Sequence, residues 1–342
     1  MATHSRVRGS RSLPALETIA VQGSRVALLG LAVAFVAAKA LGRMPSLEAQ
    51  LVVYLVGMIA LNLPHGGYEH FSNLRRRGLP FGARYVGAYA LCIAAFVALF
   101  FVAPIPALGL AFAVAVAKAG HGDLHVMDAL VGSDHLETRL QRALAAVARG
   151  GAVMIVPLLA WPDTFNGFAT YMLLLFDPGA IGALGPALES ARVVLGVGYA
   201  VAVVGHLTLG YAVGGGASWL RDAAETGLLV GYFAAVPVVV AVGLYFPLWY
   251  SLRQAGRERY ARRIEPPTGL SVRDTCVAML AGGAATAAVA GAFWLVVPNP
   301  LGGLTLLPGL VAFYTIFVCV IALPHVVIGE WLDAGRGIWY VP

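Results

Sequence analysis

Apolar runs and short polar breaks alternate along nearly the whole chain. The runs cover 26–42, 48–63, 82–103, 105–120, 144–160, 191–213, 223–249, 274–297 and 303–329. A hydrocarbon core about 30 Å thick needs about 20 mostly apolar residues per helical span, so the pattern predicts an all-α polytopic transmembrane helix bundle of about eight to ten spans. The first run follows an arginine-bearing leader and carries no small-residue cleavage site, which predicts a retained helix and not a signal peptide. The expected organisation is a flexible cytoplasmic N-terminus over 1–22, a single transmembrane domain over 23–333 and a C-terminal tail over 334–342.

Composition strengthens this picture. Of 342 residues, 59% are hydrophobic and 12% are charged, against about 25% charged in soluble domains. The net charge of +6 does not point to nucleic acid, because the arginines collect between the apolar runs, in "SRVRGSR", "RRRGLPFGAR", "ETRLQRALAAVARG" and "RQAGRERYARR". By the positive-inside rule these stretches are expected to be cytoplasmic loops of a protein in the cell membrane, with the N-terminus inside. Between 214 and 253 a single crossing breaks that alternation, and Pro237 and Pro247 predict a broken or re-entrant helix there. Cys92, Cys276 and Cys319 sit singly in apolar runs and read as free buried thiols. "AVGGGASW" at 212–219 lacks the Lys-Ser/Thr of a phosphate loop and reads as a flexible connection.

Ionisable residues inside the apolar runs are the candidates for function. In "LNLPHGGYEHF" Pro64 ends a helix before His65, Glu69 and His70, where a backbone-bonded imidazole and a ligand contact are both open. In "FAVAVAKAGHGDLH" helical spacing puts Lys118, His121 and His125 on one face, with Asp123 nearby. Lys118 is one of only two lysines in the chain, with Lys39, and either snorkels to the interface or serves a site. His206 in "VVGHLTLGY" reads first as a buried imidazole with a structural partner. "GLYFPLWYSLRQAGRERY", with Tyr250, Arg253 and Gln254, reads first as an interfacial anchor. "IALPHVVIGEWL" repeats the Leu-Pro-His arrangement at His325. The proline-broken ends near His65 and His325, the 118–125 face and the 237–254 segment are expected to surround a central cavity.

The blocks "LPHGGYEHF", "GHGDL", "ARGGAVMIVPLLAWP", "GLYFPLWYSLRQ" and "LPHVVIGEWL" resemble, in order and spacing, the Brp/Blh family of integral-membrane β-carotene 15,15′-dioxygenases, which make retinal. The resemblance runs from about residue 50 to 333. It implies a carotenoid or retinal-type polyene as partner and, in the family, Fe²⁺ held by four histidines. His65 matches the first of these, with Glu69 where the family usually has aspartate. The other three positions fall on Lys118, Tyr250 and Gln254, with Asp123 and His325 as surrounding residues. A protonated ammonium cannot donate to a metal, and phenol and amide oxygens do not suit a site made for imidazoles. Three readings follow from the resemblance: a non-cleaving retinoid or carotenoid binder, with Lys118 able to form a Schiff base; a dioxygenase with iron rebuilt on His65, His121, His125 and His206; and an inactive structural or assembly partner.

Overall fold

The computed structural model describes residues 15–62, 82–264, 272–333 and 337–339. The Leu-Pro-His block with His65, Glu69 and His70 lies outside them. Every regular element among the described residues is helical. In chain order they are α1 (Ala15–Ala40), α2 (Leu47–Leu55), α3 (Ala83–Val102), α4 (Pro104–Val126), α5 (Arg139–Gly151), α6 (Ile155–Ala160), α7 (Pro162–Leu173), α8 (Ile181–Val213), α9 (Gly216–Ala235), α10 (Val238–Tyr245), α11 (Leu252–Ile264), α12 (Val272–Val296) and α13 (Leu306–Asp333). Among the described residues, five stretches are long and apolar enough to cross a membrane: Leu16–Ala40, Ala83–Val102, Pro104–Val131, Pro178–Val213 and Leu306–Gly329. Leu47–Ile59 and Leu280–Val296 are shorter apolar helices.

Local chemistry sets the helix ends. Pro104 and Pro162 open α4 and α7, where the missing amide has no partner to lose. Thr138 caps α5 in a reciprocal box with Gln141, which satisfies two amides that the first turn leaves open. Between α8 and α9 the chain reverses through Gly215 and Gly216, at φ 55° and 73°, so the glycine stretch is a tight helix–helix turn.

Several elements differ from the sequence-based expectation. Helix α1 starts at Ala15, within the stretch expected to fray, and Glu17 on its first turn is buried. The run at 144–160 is two helices, α5 and α6. The run at 223–249 breaks as expected at Pro237, preceded by extended Val236. Pro324, expected to end a helix before His325, instead lies inside α13. In the C-terminal tail, Gly337–Trp339 form a 3₁₀ turn with Ile338 buried.

Among the described residues, three π-helical turns interrupt the bundle, at Val56–Asn62, Met127–Val131 and Phe246–Ser251. The third begins beside Pro247, whose ring nitrogen cannot serve the carbonyl four residues back. That carbonyl, on Gly243, faces the bare Cα of Gly57 in the first π turn. Helices α4 and α5 pack backbone to backbone, with Gly120 against the Ala146 carbonyl and Gly150 against the Val116 carbonyl. Small residues permit this approach, and it fixes α5 alongside the half of α4 that carries the polar residues.

Candidate functional site

Lys118 Nζ lies 5.4 Å from the centroid of the Tyr250 ring, a cation–π distance. Lys39, the other lysine, stands over Trp161 at 5.1 Å. Tyr250 belongs to the third π turn and is 5% exposed. One turn on, Gln254 Nε2 donates to the Gly122 carbonyl at 2.8 Å, while its buried Oε1 has no hydrogen-bond partner among the described residues. Bare Gly122 lets both side chains reach α4. Tyr250 and Gln254 therefore meet the Lys118 flank of α4, each 132 residues beyond its partner there. Tyr250, Arg253 and Gln254, expected at the interface as an anchor, are all buried.

Behind this cluster lies a sealed ionic network that sequence reasoning missed. Arg149 donates to Asp123 at 3.1 Å, to Asp222 at 2.7 Å and to Glu225 at 2.6 Å. Arg253 donates to Glu225 and stacks its guanidinium 4.0 Å from the centroid of Trp249. Trp249 Nε1 donates to Asp123 at 2.9 Å, and Arg25 Nε donates to Glu225 at 2.8 Å. Three arginines and three carboxylates thus tie α1, α4, α5, α9 and α11 together. Arg149 and Arg253 are 0% exposed, so the arginines of "AVARG" and "SLRQ" are interior groups and not loop charges. The signal in the sequence was their position at apolar edges, matched by Asp222 and Glu225 in "RDAAETGLLVGYF". Charge counting along loops could not reveal that the partners lie on other helices.

The candidate histidines do not share one site. His206 Nε2 is 3.0 Å from Asp222 Oδ2, off line for a hydrogen bond. His135, another residue missed from sequence, reaches the same oxygen at 2.9 Å and Ser218 at 3.1 Å. His121 meets the edge of Trp339, with ring centroids 5.4 Å apart. His125 and His325 are half-buried. Asp123 serves Arg149 and Trp249. Among the described residues, no three His, Cys, Asp or Glu side chains come together in a way that could hold a metal ion.

A cavity of about 460 Å³ opens beside α4. Ile105, Leu108, Phe112, Val116 and His121 line one wall over about 24 Å of helix. Met154, Leu158, Phe165, Leu184 and Leu188 supply much of the other wall. Its rim includes Val147 and Leu195, 41% and 44% exposed, so the mouth is apolar too. Among the described lining residues, His121 is the one with a polar side chain. This cavity lies between α4 and α6–α8, apart from the 237–254 segment, while the His65 end of the expected central cavity lies outside the described residues.

Apolar spans, ion pairs sealed between helices and an elongated oily cavity define a polytopic integral membrane protein suited to an apolar small molecule. Residues 56–333 match the model of the family described as Beta-carotene 15,15'-dioxygenase. The chain is 56% identical over 335 residues to the probable beta-carotene 15,15'-dioxygenase Brp of Halobacterium salinarum, with 93% of each chain covered. It is 31% identical over 305 residues to the probable beta-carotene 15,15'-dioxygenase Blh of that organism, covering 85% of this chain and 86% of the relative. The chain belongs to the Brp/Blh family of beta-carotene 15,15'-dioxygenases. No solved structure matches it.

Proposed function

We propose that this protein holds a carotenoid or retinal-type polyene within the membrane, and that it does not run iron-dependent cleavage through its family's usual ligand set. The observation that carries this reading is the long apolar cavity on α4, on the helix that brings Lys118 to Tyr250. A conjugated hydrocarbon needs such a wall, with few polar groups to orient it. The reading includes about eight to ten spans, counting the shorter apolar helices and broken runs as crossings or re-entrant segments. It keeps the N-terminus on the cytoplasmic side, as the positive-inside rule indicates.

The residues present do not fit the family's iron. The position aligned with the second histidine is a lysine whose Nζ stands over the Tyr250 ring, and a protonated ammonium has no lone pair for a metal. Gln254 has its amide nitrogen committed to the Gly122 carbonyl and offers one oxygen. Tyr250 offers a phenol in place of an imidazole. What remains is binding and amine chemistry. Once Lys118 gives up its proton, Nζ can add to the carbonyl carbon of an aldehyde; the C=N bond forms and the oxygen leaves as water.

The test is pigment analysis in a host that makes β-carotene, with retinal and β-carotene quantified beside an empty-vector control and on the purified protein. The expected result is pigment retained on the protein with cellular carotene undiminished. Retinal accumulating as carotene falls, with stoichiometric iron, would overturn the proposal in favour of a centre rebuilt on His65 with His121, His125 or His206. Bare protein and unchanged carotene would support the structural or assembly role.

A further inference from the structure

We infer that His121 reads a polar terminus, so that the cavity selects an elongated polyene with one hydroxyl or carbonyl end over a hydrocarbon of the same length. This rests on the polyene reading above and narrows its ligand class. The cavity is walled on α4 by apolar residues from Ile105 onward, and His121 is the last residue that this helix contributes. A polar group in an otherwise apolar described lining fixes which way a ligand lies, because a hydrogen bond made there meets little competition from water.

The geometry supports the role in two ways. Trp339 meets the His121 ring edge-on at an interplanar angle of 83°, which limits how the imidazole can turn. Trp339 belongs to the C-terminal turn, whose Ile338 carbonyl accepts from buried Arg142 on α5, so the stacking partner is itself held. A neutral imidazole offers one donor and one acceptor. One nitrogen can keep a protein partner while the other faces an alcohol or aldehyde oxygen. Lys118 stands about 60° from His121 around the helix, one turn back. Lys118 is not among the described residues that line the cavity, so the reading of a polar end by His121 is independent of the amine.

The experiment is ligand titration by tryptophan fluorescence quenching on the purified full chain in lipid nanodiscs. The probes are retinol and the same polyene ended by a methyl group. Retinol cannot form an imine, so its preference over the hydrocarbon isolates the hydrogen bond from any covalent capture by Lys118. Wild-type protein is expected to bind retinol roughly five- to tenfold more tightly than the hydrocarbon. His121→Phe should abolish that preference and leave hydrocarbon affinity within about twofold. His121→Gln, which restores a donor and an acceptor, should recover part of it and serves if the phenylalanine variant does not fold. Equal wild-type affinities, or an equal loss of both ligands in His121→Phe, would overturn the inference while leaving the polyene reading intact. No binding of either probe would overturn both.

Discussion

Tyr250 rests its ring edge on the bare Cα of Gly122. A Cβ at that glycine would collide with Tyr250 Cε2 and lie 2.9 Å from Gln254 Nε2. The absence of one methyl group is therefore a condition for the Lys118, Tyr250 and Gln254 cluster.

Gly122→Ala should push Tyr250 and Gln254 off α4, at about 1–3 kcal/mol for overpacking. Thermal unfolding in detergent should show the loss, and pigment retained on the purified protein should fall with it. Gly87→Ala is the control, since a Cβ there meets nothing within 4 Å. That change should be neutral or stabilising by about 0.5–1 kcal/mol. Equal behaviour of the two variants would contradict the packing account.

Arg149→Met should be among the most damaging single changes in the bundle. It leaves Asp123, Asp222 and Glu225 buried without the guanidinium that joins them. Breaking a buried ion pair by removing one partner costs about 3–5 kcal/mol. Arg25→Gln should cost about 1 kcal/mol, as Glu225 keeps Arg149 and Arg253. Melting temperatures of the two variants in the same detergent decide this; similar values would mean that the network is not shared as described.

Gln254→Leu should change stability by less than about 1 kcal/mol, despite removing a buried hydrogen bond. The lost donor to the Gly122 carbonyl is offset by removal of Oε1, a buried acceptor with no partner among the described residues. Denaturant unfolding of the ligand-free protein tests this, and a loss above about 2 kcal/mol would show that Oε1 is satisfied in solution.

Lys118→Met should remove the cation–π contact with Tyr250, worth about 0.5–2 kcal/mol. Retinal followed by borohydride should leave a reduced adduct on the wild-type peptide containing Lys118 and none in the variant. Retinol affinity should stay within about threefold of wild type, because that ligand forms no imine. An adduct at Lys39 instead would move the amine chemistry to the far end of α1.

Much of the fold was legible because hydrocarbon thickness imposes a length on every span, and proline marks where a helix loses a donor. Pro237 obeyed that logic. Pro324 did not, because α13 continues through it. The Lys118 to Tyr250 meeting was legible only through the family resemblance; no periodicity links residues so far apart. Arg149 and Arg253 were misplaced for a physical reason. An arginine at the edge of an apolar run looks the same in sequence whether it faces headgroups or carboxylates on neighbouring helices. The cavity beside Ile105–Ala117 was not legible, because its far wall on α6, α7 and α8 depends on packing that local pattern does not encode.

The bond from Arg142 to the Ile338 carbonyl joins residues 196 positions apart, so at synthesis rates of about 5–20 residues per second the arginine waits about 10–40 seconds for that partner. Asp128, made earlier, is its carboxylate companion in the meantime. The Gly337–Trp339 turn is thus a late-made clasp on α5, synthesised after the helices that it closes on.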